Sequence, residues 1–394
     1  MKKIKTRLRF AVSIIKYLFA RTFSPLLCRL DKYKDLWVVS ERGVDARDNG
    51  YHFFAYLMRE HPEINAVYII SKDSPDYPKV AQLGRIIRYR SFSHYIALAC
   101  AKALVSTHIC GYTPDMYLFG IIDKYIPFKG KKIFLQHGII KDDLKELYYP
   151  NVRLDVFVCG ANPEYEYIKE NYCHPDGVVQ YLGLCRYDAL YSALQEKRPH
   201  SRQLLFMPTW RLYLQHCASA EDFIDSDYYK MLSLLLSSRK LEELLEKYDY
   251  TLVFYPHFES QRFLEAFISS SPRVIIADFS DFDVQTLLID SAMLITDYSS
   301  VFFDNAYLRK SVLYLQCDEE NYRAQHYKKG YFDYRANGFG AVCTTVDELL
   351  ENLEKMLETD CAAPEFYVKR IESFFTRFDN KNCERNFEAV HRLL

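Results

Sequence analysis

From Trp37 onward, short apolar runs alternate with stretches whose apolar residues recur at helical spacing. The runs at 36–39, 66–70, 103–106, 132–136 and 156–159 predict strands, and 51–60, 92–102 and 163–172 between them predict helices. A second series predicts strands at 204–207, 251–255, 273–277, 292–296 and 311–315, with helical patterns notably at 221–248 and 300–309. Near-continuous apolar strands alternating with helices point to parallel sheets covered on both faces. Two such series imply two doubly wound α/β domains, with a seam at 196–203 where Lys, Arg, Pro, His and Ser cluster. The expected domains are 36–198 and 199–363. A helical segment at 364–394 has no strand to serve and is expected to pack across both.

Residues 1–35 obey a different rule. The first thirty residues carry eight Lys or Arg and no acid. Lys16 interrupts the apolar run at a cost of ~3 kcal/mol in a bilayer centre, and the stretches beside it are too short for ~30 Å of hydrocarbon. On a helical wheel Ile4, Leu8, Ala11, Ile15, Leu18 and Phe19 share one face, with Lys2, Lys5, Arg9 and Lys16 opposite. That is the pattern of an interfacial amphipathic helix on an anionic membrane surface. The competing arrangement is a helix packed on the protein's own surface.

Composition narrows the function classes. At 394 residues the chain is long enough for two cores, and 49% apolar with 26% charged residues excludes disorder and a membrane bundle. Lys and Arg number 51 against 52 Asp and Glu, so no bulk positive field supports nucleic-acid binding. The eleven cysteines show neither a C-x-x-C nor zinc spacing and read as reduced thiols. Asp281-Phe282-Asp283 has carboxylate spacing seen at metal sites, but it directly precedes a helix and reads as a cap. No metal site is expected.

Ligands of open parallel sheets bind beyond the carboxyl ends of the strands, so the residues just past each strand matter most. The strand at 132–136 leads to His137-Gly138 with Lys141 after it, and that at 204–207 to Pro208-Thr209-Trp210-Arg211. The strand at 251–255 leads to Pro256-His257, and that at 292–296 to Asp297-Tyr298-Ser299-Ser300, with Asp304 one turn on. Two imidazoles suit deprotonation of an alcohol near neutrality. Gly138 leaves room for substrate, Ser299 and Ser300 open a helix as a phosphate cradle, and Arg211 offers a planar fork to phosphate oxygens. No P-loop pattern is present. These residues describe a two-domain α/β enzyme that handles a phosphorylated substrate at a His-rich cleft.

Five ordered motifs carry a resemblance. They are His137-Gly138-x-x-Lys141, Gly183-Leu184-Cys185-Arg186-Tyr187-Asp188, Met207-Pro208-Thr209-Trp210-Arg211, Pro256-His257 and Thr296–Asp304, joined by Ser40-Glu41-Arg42-Gly43 and Asp48-Asn49. Together they resemble the CDP-glycerol glycerophosphotransferase family, the teichoic acid primases and polymerases of bacterial cell walls, whose relatives also serve capsular polymers. The resemblance implies a GT-B fold, two Rossmann-like domains facing across a cleft, attached peripherally to the cytoplasmic face of the bacterial membrane. It implies metal-independent transfer of a polyol phosphate from CDP-glycerol or CDP-ribitol to a hydroxyl of a lipid-linked glycan acceptor, with release of CMP. It matches His137 to the catalytic base and His257 to a second essential histidine. Thr209, Arg211, Ser299, Ser300 and Asp304 fall at the donor's pyrophosphate site, and Gly138, Lys141, Arg186 and Asp297 at further substrate positions. Two departures, Cys185 before Arg186 and Phe258 after His257, stand where the family commonly has Pro. A UDP-sugar-dependent transferase or epimerase would share the fold, and a non-catalytic membrane-bound scaffold is the reading from another class. The nucleotide released, CMP or UDP or neither, separates the three. Which polyol is carried, and whether the chain forms a homo-oligomer, stay open.

Overall fold

The structure is a computed structural model and describes residues 2–394 apart from 197, 218, 270, 280 and 326. In chain order its strands are β1 (Trp37–Ser40), β2 (Ala66–Ile70), β3 (Ile86–Arg88), β4 (Ala103–Ser106), β5 (Lys131–Phe134), β6 (Asp142–Asp143), β7 (Val156–Cys159) and β8 (Val179–Tyr181), then β9 (Gln203–Met207), β10 (Thr251–Phe254), β11 (Val274–Ile276), β12 (Met293–Thr296), β13 (Ser311–Leu315), β14 (Lys328–Lys329) and β15 (Gly340–Cys343). They build two open sheets, ordered β3-β2-β1-β4-β5-β7-β8 and β11-β10-β9-β12-β13-β15, in which every pairing is parallel. Strands β6 and β14 pair apart from both as a short antiparallel ribbon.

Two compact units contain these sheets. Unit 1 comprises the chain up to Ile139, Lys145–Asp188 and Asp379–Leu394; unit 2 comprises Ile140–Leu144 and Ala189–Phe378. The chain thus leaves unit 1 ten residues ahead of the expected boundary at 198, and Lys197 of the expected seam lies outside the described residues. The segment 364–394 divides as well: helix Glu365–Phe374 belongs to unit 2 and helix Asn382–His391 to unit 1.

In unit 1 the strand alternation sorts side chains to two faces. Trp37, Val39, Tyr68 and Val105 enter one cluster with Phe53 and Phe54, while Val38, Val67 and Leu104 enter another with Tyr95 and Phe119. In unit 2 the core gathers Phe206, Phe254, Ile295 and Leu313 with the leucines of helices Asp227–Leu236 and Val346–Leu357.

The pattern at 221–248, read as one long helix, forms three: Ala220–Ile224, Asp227–Leu236 and Arg239–Lys247. Ser219, Ser226 and Ser238 cap them, each accepting a backbone N–H through its hydroxyl, which ends one helix and starts the next. Strands β3, β8 and β15, sheet edges of three or four residues, are not among the strands read from sequence. Asp283 caps helix Val284–Asp290 by accepting from Thr286, in keeping with its reading as a cap.

The N-terminal helix runs Lys2–Leu27. The side chains of Lys2, Ile4 and Lys5 lie outside the described residues. A narrow face of Ser13, Tyr17, Ala20 and Ser24 is buried in unit 1: Ser13 Oγ and Tyr95 Oη share a 2.9 Å hydrogen bond, and Tyr17 meets Phe119 edge-on. Leu8, Ile15, Leu18 and Phe19 of the expected apolar face are exposed, with Val12, Phe23 and Leu26 extending it. Packing on the protein and presenting apolar surface therefore coexist on different faces of one helix. By length and composition Thr6–Leu27 is also long and apolar enough to cross a membrane, contrary to the reading that Lys16 breaks it; Lys16 lies over the Tyr95 ring at 5.6 Å.

Candidate active site

Each sheet reverses its winding once, between β1 and β4 in unit 1 and between β9 and β12 in unit 2. The carboxyl ends of those strands frame the crevice where doubly wound sheets bind ligands. The residues singled out from sequence stand at or near these two points.

In unit 1, β5 ends at Phe134 and Gln136 takes a left-handed φ of +62° before His137. A non-glycine residue rarely adopts that conformation, and here it turns His137 out of the sheet. The His137 side chain is 70% exposed, and its Nδ1 is hydrogen-bonded to Oδ2 of Asp48, a carboxylate only 11% exposed. The other carboxylate oxygen accepts from Arg186 Nη1 at 2.7 Å, and the same nitrogen donates to the His137 carbonyl at 2.8 Å. Asn49 completes the brace. Its amide donates to the Gln136 carbonyl at 2.8 Å while its oxygen accepts the Arg186 N–H at 3.0 Å. One dipeptide at the start of helix Asn49–Glu60 thus ties the β5 loop to the β8 loop.

The charges arise from this geometry. The Asp48 carboxylate raises the His137 pKa above its ordinary 6.5 against the pull of desolvation. Burial alone would raise the Asp48 carboxyl, but His137 and Arg186 hold it well below the usual range. Behind them Glu41 is buried and accepts the N–H groups of Arg47, Asp48 and Tyr51; burial, then Asp48 and Asp45, push its pKa up to about 8. His108, two residues past β4, lies with its ring 5.0 Å from that of His137, and desolvation followed by the His137 charge lowers it to about 4. It is a neutral imidazole beside a basic one.

Neither Asp48 nor His108 is assigned a role by the sequence reading. His108 lies just past a correctly read strand and was recoverable by the same rule that found His137. Gly138 is half-buried beside it. The motif at 183–188 proves partly structural. Gly183 has φ +83°, and a Cβ there would lie 1.7 Å from Asn382 Oδ1; Asp188 accepts the N–H groups of Asn382 and Cys383 and so caps the C-terminal helix.

Unit 2 corrects one expectation. Arg211 presents no fork to a ligand, because its side chain is 0% exposed. Its Nη1 donates to Asp297 Oδ2 and to the Thr209 carbonyl, each at 2.7 Å, while Nε and Nη2 grip both oxygens of Asp318 at 2.6 and 2.9 Å. The rings of Tyr228, Tyr298 and Tyr322 surround the guanidinium at 4.9–5.3 Å from their centroids. Asp297 is likewise occupied, since its Oδ1 also accepts the Thr209 N–H at 2.8 Å. The pair clamps the β9 and β12 loops together from below.

The chemistry still open there is different. Ser299 and Ser300 are half-buried and Ser300 makes no capping bond through its hydroxyl, whereas Thr209 Oγ1 is enclosed without a hydrogen-bond partner and is closed to a ligand. The helix they open, Val301–Tyr307, has only seven residues, so the seryl groups outweigh any dipole; Asp304 is buried within it. His257 is exposed after β10, with its Nδ1 accepting the Glu259 N–H at 3.2 Å and its pKa lowered, first by desolvation. Lys141 is not a free cation: it is buried in unit 2, paired with Asp142, which also receives Arg323 at 2.6 Å. Among the described residues no group of three or more His, Cys, Asp or Glu is placed to hold a metal ion.

The profile of the CDP-glycerol:poly(glycerophosphate) glycerophosphotransferase family matches residues 22–392. The chain is 32% identical over 370 residues to the minor teichoic acid biosynthesis protein GgaB of Bacillus subtilis, across 91% of this chain and 40% of that protein. It is 28% identical over 227 residues to the teichoic acid poly(glycerol phosphate) polymerase of the same organism, across 57% of this chain and 28% of the polymerase. A teichoic acid poly(ribitol-phosphate) polymerase of Bacillus spizizenii matches 51% of the chain at 26% identity, across 29% of that protein. The chain thus spans well under half the length of these relatives. A solved structure of the wall teichoic acid polymerase TagF superposes with a TM-score of 0.70 at 18% identity, covering 99% of this chain and 97% of that one. The likeness establishes the fold, the GT-B class expected from the resemblance.

Proposed function

The chain belongs to the CDP-glycerol:poly(glycerophosphate) glycerophosphotransferase family, and from that premise we propose that it transfers a polyol phosphate, glycerol phosphate first, from a CDP-activated donor to a hydroxyl of a lipid-linked acceptor. The product chain belongs to a teichoic acid-like or capsular polymer. The observation that carries this reading is an exposed His137 whose Nδ1 is held by a buried carboxylate, which leaves Nε2 to face substrate.

In this reaction the acceptor O–H gives its proton to His137 Nε2, and the alkoxide oxygen attacks the phosphorus that bears the polyol. The bond from that phosphorus to the oxygen bridging it to CMP breaks, and CMP leaves with the electron pair. Asp48 fixes the imidazole tautomer and stabilises the imidazolium, and a positioned base contributes ~10²–10⁴ in rate. His257, the hydroxyls of Ser299 and Ser300, and the N–H groups at the β12 loop hold the donor phosphates and offset charge on the leaving CMP, while Thr209, its hydroxyl enclosed, serves through its backbone. Arg211 acts one layer back by fixing Asp297 and the Thr209 loop. Each step runs without a metal ion. The exposed face of the N-terminal helix lies on the cytoplasmic leaflet, where a lipid-linked acceptor is presented.

Thermal shift in EDTA with CDP-glycerol, CDP-ribitol, CMP, UDP-glucose and UDP-N-acetylglucosamine tests the donor. Stabilisation by a CDP-polyol in chelator is the expected result and also identifies the polyol. Stabilisation by a UDP-sugar alone would overturn the reaction while leaving the fold intact.

A further inference from the structure

Beneath the first turns of the N-terminal helix, unit 1 has an open cavity of about 380 Å³. Arg9, Lys16 and Arg90 line it with a single acid, Asp115, among them. Arg9 is matched to that acid at 3.2 Å. Lys16 and Arg90 have no carboxylate partner among the described residues: Lys16 lies over the Tyr95 ring, and Arg90 spends Nε on the Pro114 carbonyl at 2.9 Å. Three cations against one acid leave the cavity positive.

The arm that carries Arg90 is built rigidly. Arg90 has a left-handed φ of +62°, and its N–H donates to Nδ1 of the buried His94, whose Nε2 meets the Tyr112 carbonyl at 2.8 Å. A strained residue pinned by a buried imidazole aims its guanidinium at one place.

The rim is apolar. Leu8 and Val12 line the cavity and begin a row of exposed side chains that continues through Ile15, Phe19, Phe23 and Leu26 along one helix face. The neighbouring helix Met116–Tyr125 exposes Tyr117, Ile121 and Tyr125, a spacing that places two interfacial-type aromatics on one face. A positive cavity roomy enough for a phosphate headgroup, opening beside an uncovered apolar row, matches a molecule with an anionic head and a hydrocarbon tail.

We infer that this cavity is a binding site for the phosphate headgroup of an anionic phospholipid, with Lys16 and Arg90 as its ligands and the Leu8–Leu26 row against the acyl chains. The inference rests on the membrane association proposed above and gives it a stoichiometric site. It also fixes the helix in orientation as well as in attachment.

Two measurements on the full chain test it. Flotation with vesicles of phosphatidylcholine, with and without phosphatidylglycerol, compares wild type with Lys16→Gln/Arg90→Gln and with Arg29→Gln/Lys34→Gln, two exposed basic residues outside the cavity. Thermal shift with monomeric dihexanoyl phosphatidylglycerol, its phosphatidylcholine counterpart and inorganic phosphate reads the site without a bilayer. Losing two phosphate contacts is expected to weaken partition to the anionic vesicles by roughly thirtyfold. It is also expected to abolish stabilisation by the short phosphatidylglycerol, which the Arg29/Lys34 variant keeps and Arg90→Lys restores. Equal losses in both double variants, or inorganic phosphate stabilising as well as the lipid, would overturn the site, the latter as a free-anion site. Wild type that floats with neither vesicle would instead overturn the membrane reading itself. If the double variant folds poorly, Lys16→Gln alone, whose one protein contact is that over Tyr95, is expected to weaken partition to the anionic vesicles by roughly fivefold, and an unchanged partition would overturn the site.

Discussion

At the switch point of each sheet a buried aspartate is paired with a nitrogenous side chain, and the two pairs do opposite things. In unit 1 Asp48 is buried and its partner His137 is 70% exposed; in unit 2 Asp297 is buried and its partner Arg211 is 0% exposed. Both pairs brace two loops. Only the first leaves a ring nitrogen facing outward. A residue type that suits phosphate, standing after the right strand, is therefore insufficient. Where its donors are already spent decides whether it meets a ligand or holds the loops that do.

The sharpest way to break this comparison is to remove both partners. His137→Ala should lower turnover by ~10²–10⁴ while leaving the unfolding midpoint and donor affinity near wild type. Arg211→Ala should do the reverse. It strands Asp297 in the interior, and losing one partner of a buried ion pair costs about 3–5 kcal/mol, visible as a lower denaturant midpoint. A stable Arg211→Ala protein with weakened donor binding would restore the fork reading for that residue.

Asp48→Asn comes next. It keeps the shape but loses the charge that fixes the His137 tautomer, so turnover should fall, by no more than the ~10²–10⁴ expected of His137→Ala. Gly183→Ala is the smallest, at about 1–3 kcal/mol of stability and no direct effect on chemistry. It places a methyl against Asn382 at a left-handed backbone position. A Gly183→Ala protein as stable as wild type would mean that the C-terminal helix contributes little to unit 1.

Most of the fold was legible because strands buried on both faces are continuous apolar runs. The ten strands read from sequence all exist, within one or two residues at their ends. Edge strands such as β3 and β8 escaped because their apolar runs, Ile86-Ile87 and Val178-Val179, are only two residues long and end in Arg88 and Gln180. The breaks at Ser226 and Ser238 escaped because the apolar spacing carries through both caps. Within the site, strand ends located His137, His257, Thr209 and the two serines. Arg211 was misread because burial of a long cation depends on Asp318 and three tyrosines distant in sequence, which a local motif cannot reveal. Asp48 was visible in a motif, yet only the tertiary fold brings it 89 positions along the chain to His137.

The pH dependence of CMP release from a CDP-polyol, in wild type and Asp48→Asn, tests the central claim most directly. A base must be unprotonated, so the rate should climb as pH rises through the His137 pKa, which Asp48 holds above 6.5. With that carboxylate gone, desolvation and the nearby Arg186 and Arg42 charges all lower the pKa, so the acid limb should move to lower pH as the plateau rate falls. An acid limb at the same pH in both proteins would contradict the assignment of His137, braced by Asp48, as the group that takes the proton.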